Sequence, residues 1–153
     1  MSNEDTIQQL INKIMDIAAV AGARGTVDPD VGAFVFNVGT NNGRKQTVYV
    51  RPTGEIAGGR PMITFFSIAK TYPKTRLLVA ISNKELLNLL KTNENMPFAR
   101  YGIQERKDDF LVVASADYLL ETLDSDEFQA AATFVAMAAD KYEAAKSEGG
   151  DEF

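Results

Sequence analysis

Two glycine-rich stretches and three acidic pairs are the places where this chain could do chemistry. The first stretch, Gly149-Gly150-Asp151-Glu152-Phe153, sets two carboxylates directly after two glycines. Glycines let a nucleotide approach the backbone, and acidic side chains can position metal ions and an attacking hydroxyl. The second, Gly54-Glu55-Ile56-Ala57-Gly58-Gly59-Arg60-Pro61, nearly repeats the phosphate-loop spacing G-x-x-x-x-G-K-[ST]. Arg60 stands where that loop carries lysine, and Pro61 where it carries the magnesium-binding hydroxyl. The pairs Asp28/Asp30, Asp108/Asp109 and Asp124/Asp126 offer oxygen ligands to a hard cation. The chain has 0 His and 0 Cys, which removes the commonest general base, the thiolate nucleophile and the usual zinc ligands.

None of these stretches has the surroundings its chemistry needs. The letters GGDEF are the signature of the diguanylate cyclases, where the motif rides a hairpin inside a larger domain. Here no strand follows Phe153 to hold such a hairpin, and no metal-binding Asp closes an early strand of a parallel α/β order. The match reads as a coincidence of an acidic tail. A phosphate loop must open a helix, whose N-terminus holds the anion; the Gly54 loop opens a strand and reads as a strand connection. Each acidic pair falls where turn or cap chemistry already explains it. No elbow motif presents a nucleophile. The expectation is a chain without catalysis, cofactor or metal. The alternative kept open is a small-molecule sensor or unassigned enzyme using the Gly54–Arg60 loop.

Hydropathy patterning supplies the elements around these stretches. Ser2 or Asn3 caps a first helix with Ile7, Leu10, Ile11, Ile14, Ile17, Ala18 and Ala21 on one face, stopped by Gly22 and Gly25. After the Asp28-Pro29-Asp30 turn, strands are expected over 33–38, 46–51 and 62–69. Asn42-Gly43 makes the first connection a tight hairpin, because both residues tolerate positive φ. Ser82 with Glu85 three residues on is a capping box for a short second helix, with Leu86, Leu87, Leu89 and Leu90 toward the core. Strands over 98–104 and 110–114 follow. Asp124 with Glu127 caps the last helix, whose apolar face is Phe128, Ala131, Ala132, Val135, Ala138, Ala139 and Tyr142. The connections are too short for parallel crossovers. The sequence therefore predicts one α+β domain over residues 1–146, ordered α-β-β-β-α-β-β-α around one antiparallel sheet, with 147–153 a disordered acidic tail.

The strands carry apolar residues on both faces, where a half-buried strand alternates. Phe34 and Phe36 oppose Ala33 and Val35; Met62, Phe66 and Ile68 oppose Ile63 and Phe65; Phe110, Val112 and Ala114 oppose Leu111 and Val113. Three helices, one short, are too few to cover both faces unless the first and third take opposite sides. A second copy is the preferred cover. Phe34, Phe36, Phe65, Phe66, Leu111 and Val113 are the candidate partner or dimer residues. With 16 Lys+Arg against 21 Asp+Glu the net charge is −5, a field that repels phosphate backbones. The nearest basic group, Lys70, Lys74 and Arg76, is too small to reverse it, so no nucleic-acid partner is expected. With no apolar run of membrane-spanning length and no secretory signal, no membrane association and a cytoplasmic location are expected.

The stretch from Asn83 to Glu143 resembles the type III secretion chaperone-like superfamily, which includes the YbjN-type bacterial proteins. The shared features are a Leu-rich short helix running into Asn (LLNLLKTN), the strand pair ARYGIQ and FLVVA, and a closing helix entered through an acidic cap and ending Ala139-Asp140-Lys141. The element order over residues 3–146 matches as well. The resemblance implies a small acidic homodimer without catalysis. Secretion chaperones of the family hold a client segment on apolar patches, and YbjN-type members look like regulators of a partner. Residues Lys70–Ile81 depart from the pattern, and their apolar second half could extend the helix, add strand or join a dimer contact.

Overall fold

A computed structural model describes residues 3–74 and 81–147. The order is α1 (Asn3–Val20), β1 (Gly25–Asp28), β2 (Ala33–Gly39), β3 (Lys45–Ile56), β4 (Arg60–Pro73), α2 (Asn83–Asn95), β5 (Arg100–Glu105), β6 (Asp109–Leu119) and α3 (Ser125–Ser147). The strands form one antiparallel sheet in the order β1-β2-β3-β4-β6-β5. The expected α+β class and single antiparallel sheet are what the chain forms.

Two local expectations are corrected. Gly25 does not belong to the stop of α1; it opens a sixth strand. A Cβ at Gly25 would lie 2.0 Å from the Val35 carbonyl oxygen, so only glycine lets β1 approach β2. Thr26 and Val27, both β-branched, then pair with Val35 and Phe34. The second concerns only the bounds of the strands beside the near phosphate loop, which is the strand connection expected of it. β3 runs on to Ile56 and β4 begins at Arg60, so the stretch is a hairpin closed by Gly59 N–H on the Ile56 carbonyl at 3.1 Å. The Arg60 guanidinium lies 3.1 Å from Glu121. The hairpin at Asn42-Gly43 forms as expected, with φ 59° and 72° at the two residues.

All three helices lie on the same face of the sheet. α3 crosses β4, β3 and β6, α1 packs against α3, β2 and β3, and α2 sits over the edge strand β5. The expected apolar face of α3 is all buried, as are Ile11, Ile14 and Ala18 of α1, whereas Ile7 is exposed. Facing them across the layer are Phe34, Phe36, Val48, Val50, Ile63, Phe65, Val112 and Ala114. The aromatic residues interlock: Phe128 stacks on Phe36 at 5.6 Å and meets Phe65 edge-on at 5.0 Å. The first and third helices therefore do not divide the two faces between them. Of the 70–81 stretch, Lys70–Pro73 continue β4 and Ile81 joins the core, while 75–80 lie outside the described residues. The tail beyond Ser147 also lies outside them. Among the described residues no helix is long and apolar enough to cross a membrane.

Candidate functional site

The six partner candidates divide between the two sheet faces. Phe34, Phe36 and Phe65 lie in the core beneath α3, while Phe66, Leu111 and Val113 lie outside that cluster, on the face that carries none of the described helices. The second group is nonetheless almost covered: Phe66 is 5% exposed and Leu111 and Val113 are each 3% exposed. Tyr49 stacks on Phe66 at 4.9 Å, and the Arg51 guanidinium lies 5.0 Å from the same ring. A long cation over an aromatic face shields it from water while keeping its own charge hydrated.

The more exposed apolar surface lies on the helical face, at the α2 end. Leu87 and Leu90 were expected to face the core. In the structure only Leu89 does so fully, at 4% exposure, with Leu86 partly buried against the core. Leu87 is 52% and Leu90 68% exposed. A one-residue step along a helix turns the side chain by about 100°, so four leucines spread over five positions cannot share one narrow stripe. Phe98, 68% exposed, and Met137, 44% exposed, lie nearby on the β5 approach and on α3.

Between α2 and α3 runs an open groove of about 860 Å³. Asn88, Lys91, Thr92 and Asn95 form the α2 wall at the i, i+3/i+4, i+7 spacing of one helix face. Phe134, Met137, Ala138, Lys141 and Ala145 form the α3 wall, and Met96, Pro97 and Tyr101 close one end. Phe98 holds its ring 5.1 Å from Phe134. Its backbone is unusual for so large a residue: φ is 62°, and the Ala99 N–H donates to the Pro97 carbonyl at 2.7 Å. That is a three-residue turn of the strained kind.

Two polar clusters fix the walls. On the β5 side, the Asn93 amide accepts from the Tyr101 N–H at 2.7 Å and donates to the Tyr101 carbonyl at 2.9 Å. One side chain thereby satisfies both outward backbone groups of an edge-strand residue, as a neighbouring strand would. The Tyr101 hydroxyl donates to the Ala138 carbonyl at 2.7 Å, tying β5 to α3. Further along α3, the hydroxyls of Tyr72 and Tyr142 lie 2.8 Å apart, and Tyr72 donates to Glu85 at 3.3 Å. Lys146 donates to the same carboxylate. The predicted capping box is therefore half formed: Glu85 N–H binds the Ser82 hydroxyl at 3.1 Å, while the Glu85 side chain holds α3 instead. At α3 the box closes both ways, with Glu127 N–H to Asp124 at 2.8 Å and Asp124 N–H to Glu127 at 3.3 Å.

The tyrosines are held neutral. Burial pushes Tyr101 up to about 12. Tyr142 is raised too, first by burial and then by its hydrogen bond to Tyr72. A general base working near neutral pH needs the opposite shift. The acidic pairs serve turns and caps: Asp28 accepts from Asp30 N–H at 2.9 Å, Asp109 is forked by Arg106 at 2.6 and 2.5 Å, and Asp124 caps α3. The fork holds Asp109 below the usual carboxylate range. Among the described residues no three acidic side chains come together as a metal site would require. Compared with known proteins, the chain matches no protein-family model and no curated protein.

Proposed function

We propose that this chain is a non-catalytic protein-binding module that works as a homodimer, in the manner of the secretion chaperones and YbjN-type proteins it resembles. The observation that carries this reading is the gathering of exposed Leu87, Leu90, Phe98 and Met137 around α2 and the groove beside it. Large apolar side chains left exposed on two flanks of one element mark surfaces meant for partners.

Two parts of that area have different work. Leu87 and Leu90 lie one turn apart on the flank of α2 away from the groove wall, and Ile103 of the underlying edge strand is 39% exposed. This flank is the dimer contact in our reading. Covering a leucine is worth roughly 1.5–3 kcal/mol when complete, and a twofold contact covers each one twice. Phe66, Leu111 and Val113 have little left to gain from a partner because their own chain has already covered them. The groove remains open in such a dimer and takes the client segment.

Sedimentation tests the dimer. The wild-type chain is expected to run as two copies, and Leu87→Glu/Leu90→Glu as one copy with unchanged circular dichroism, since both positions are solvated in the single chain. A wild-type chain that stays monomeric at high concentration rules the dimer out.

A further inference from the structure

We propose that the α2–α3 groove receives an acidic amphipathic segment of a partner protein, with a large apolar side chain seated by Phe98, Phe134 and Met137 and its carboxylates meeting Lys91 and Lys141. This deepens the protein-binding reading and rests on it.

The charge on the groove walls points to that class of segment. The chain carries a net charge of −5, yet among the described residues no Asp or Glu lines the groove, and each long wall contributes one lysine. Neither Lys91 nor Lys141 has a carboxylate partner among the described residues, whereas Lys74 and Lys146 do. The acids of α3 that could have neutralised Lys141 are committed to the far flank. Asp140 is 2.6 Å from Arg44 of the β2–β3 turn, and Glu143 is 3.6 Å from the same guanidinium and accepts from Gln46. The C-terminal half of α3 thus sorts its charges, with Asp140 and Glu143 held toward Arg44 and Gln46 and Lys141 lining the groove. A segment lying between the walls meets positive charge on both sides and an apolar bed below.

The second observation is Phe98. A bulky residue at φ 62° in a three-residue turn costs folding free energy. The ring it places gains only a partial stack on Phe134 and stays 68% exposed. Such a conformation is understandable when the ring's other face meets a partner. The basic lining also argues against a basic segment as occupant, because like charges across a contact repel.

Three fluorescent peptides of about 15 residues, long enough to form a helix on binding, supply the test. All carry the same Leu/Phe stripe at i, i+3, i+4 and i+7; the flanking positions are Glu in one, Gln in the second and Lys in the third. Polarisation is expected to show the Glu peptide binding about tenfold more tightly than the Gln peptide, the advantage shrinking in added salt. Lys91→Glu/Lys141→Glu is expected to invert the order so that the Lys peptide binds best, and Phe98→Ala to weaken the Glu and Gln peptides alike. Both lysines are exposed, so the double variant keeps its fold, which circular dichroism checks. If all three peptides bind equally and the lysine reversal changes nothing, the acidic class is wrong while the protein-binding reading stands. If none binds, both fall. If the lysine reversal alters self-association and not peptide binding, a second copy occupies the groove and the inference is overturned.

Discussion

Tyr101 concentrates three tasks in one residue. Its backbone is latched by Asn93, its ring closes the groove, and its hydroxyl holds α3 through the Ala138 carbonyl. The hydroxyl can hold that carbonyl only while it keeps its proton, and burial raises its pKa from 10.0 to about 12. A group whose folded pKa lies above its unfolded value stabilises the fold fully below the unfolded pKa and loses that contribution as pH rises through the folded one. Stability is therefore expected to stay level on this account up to about pH 10 and to fall toward pH 12. Thermal melts across that window check it. Tyr101→Phe removes one hydrogen bond, about 1 kcal/mol at neutral pH, and makes the alkaline fall less steep. A fall of the same steepness in the variant means that Tyr101 is not among the groups that cause it. Tyr142, raised in the same direction, maintains part of the fall in either protein.

At the scale of elements, α2 depends on its neighbours more than on its own sequence. Its cap works from one side only, because Glu85 is drawn to Tyr72 and Lys146, and it buries only Leu89 fully. Asn93 is its bond to the edge strand β5. Asn93→Ala leaves two backbone groups of Tyr101 without their partner, and the expected cost is about 1–3 kcal/mol. Asn93→Asp keeps one acceptor and is expected to fall between wild type and alanine. Chemical denaturation measures both; equal stability of all three would show the latch to be ornamental. The Asn was visible in the sequence as the end of LLNLLKTN, but its work was not, because an amide's partners lie eight residues away in a strand. The same distinction runs through the fold. Periodicity and capping signals located the three α-helices of the described residues, and the apolar face of α3 was legible, because seven apolar positions recur over four turns of one long helix. The leucines of α2 were not, because a short helix with adjacent leucines fits more than one orientation. β1 was missed because Gly25 signals a stop as readily as it signals the close approach to Val35 that it makes.

For the whole molecule, the question is which surface meets a second copy: the helix-free sheet face or the outer flank of α2. Apolar residues on both faces of the sheet motivated the first surface, and the exposure of Leu87 and Leu90 favours the second. Phe65 and Phe66 are adjacent in β4 and point to opposite faces, so one charge at each position separates core from surface. Phe65 is fully buried between Phe128 and Tyr118. Phe65→Glu places an unpaired charge there, costs several kcal/mol, and is expected to unfold the chain; Phe34→Glu, in the same layer, is expected to do likewise. Phe66→Glu replaces a ring that already lies beside the Arg51 guanidinium. The new carboxylate therefore has a cation beside it, and the chain is expected to stay folded with a loss of stability smaller than that of Phe65→Glu. Sedimentation of that folded variant then discriminates. Retention of the dimer, together with its loss in Leu87→Glu/Leu90→Glu, places the contact on α2. Dissociation of Phe66→Glu with intact circular dichroism would move the contact to the sheet face and overturn the α2 assignment, while leaving the groove between α2 and α3 free to bind its segment.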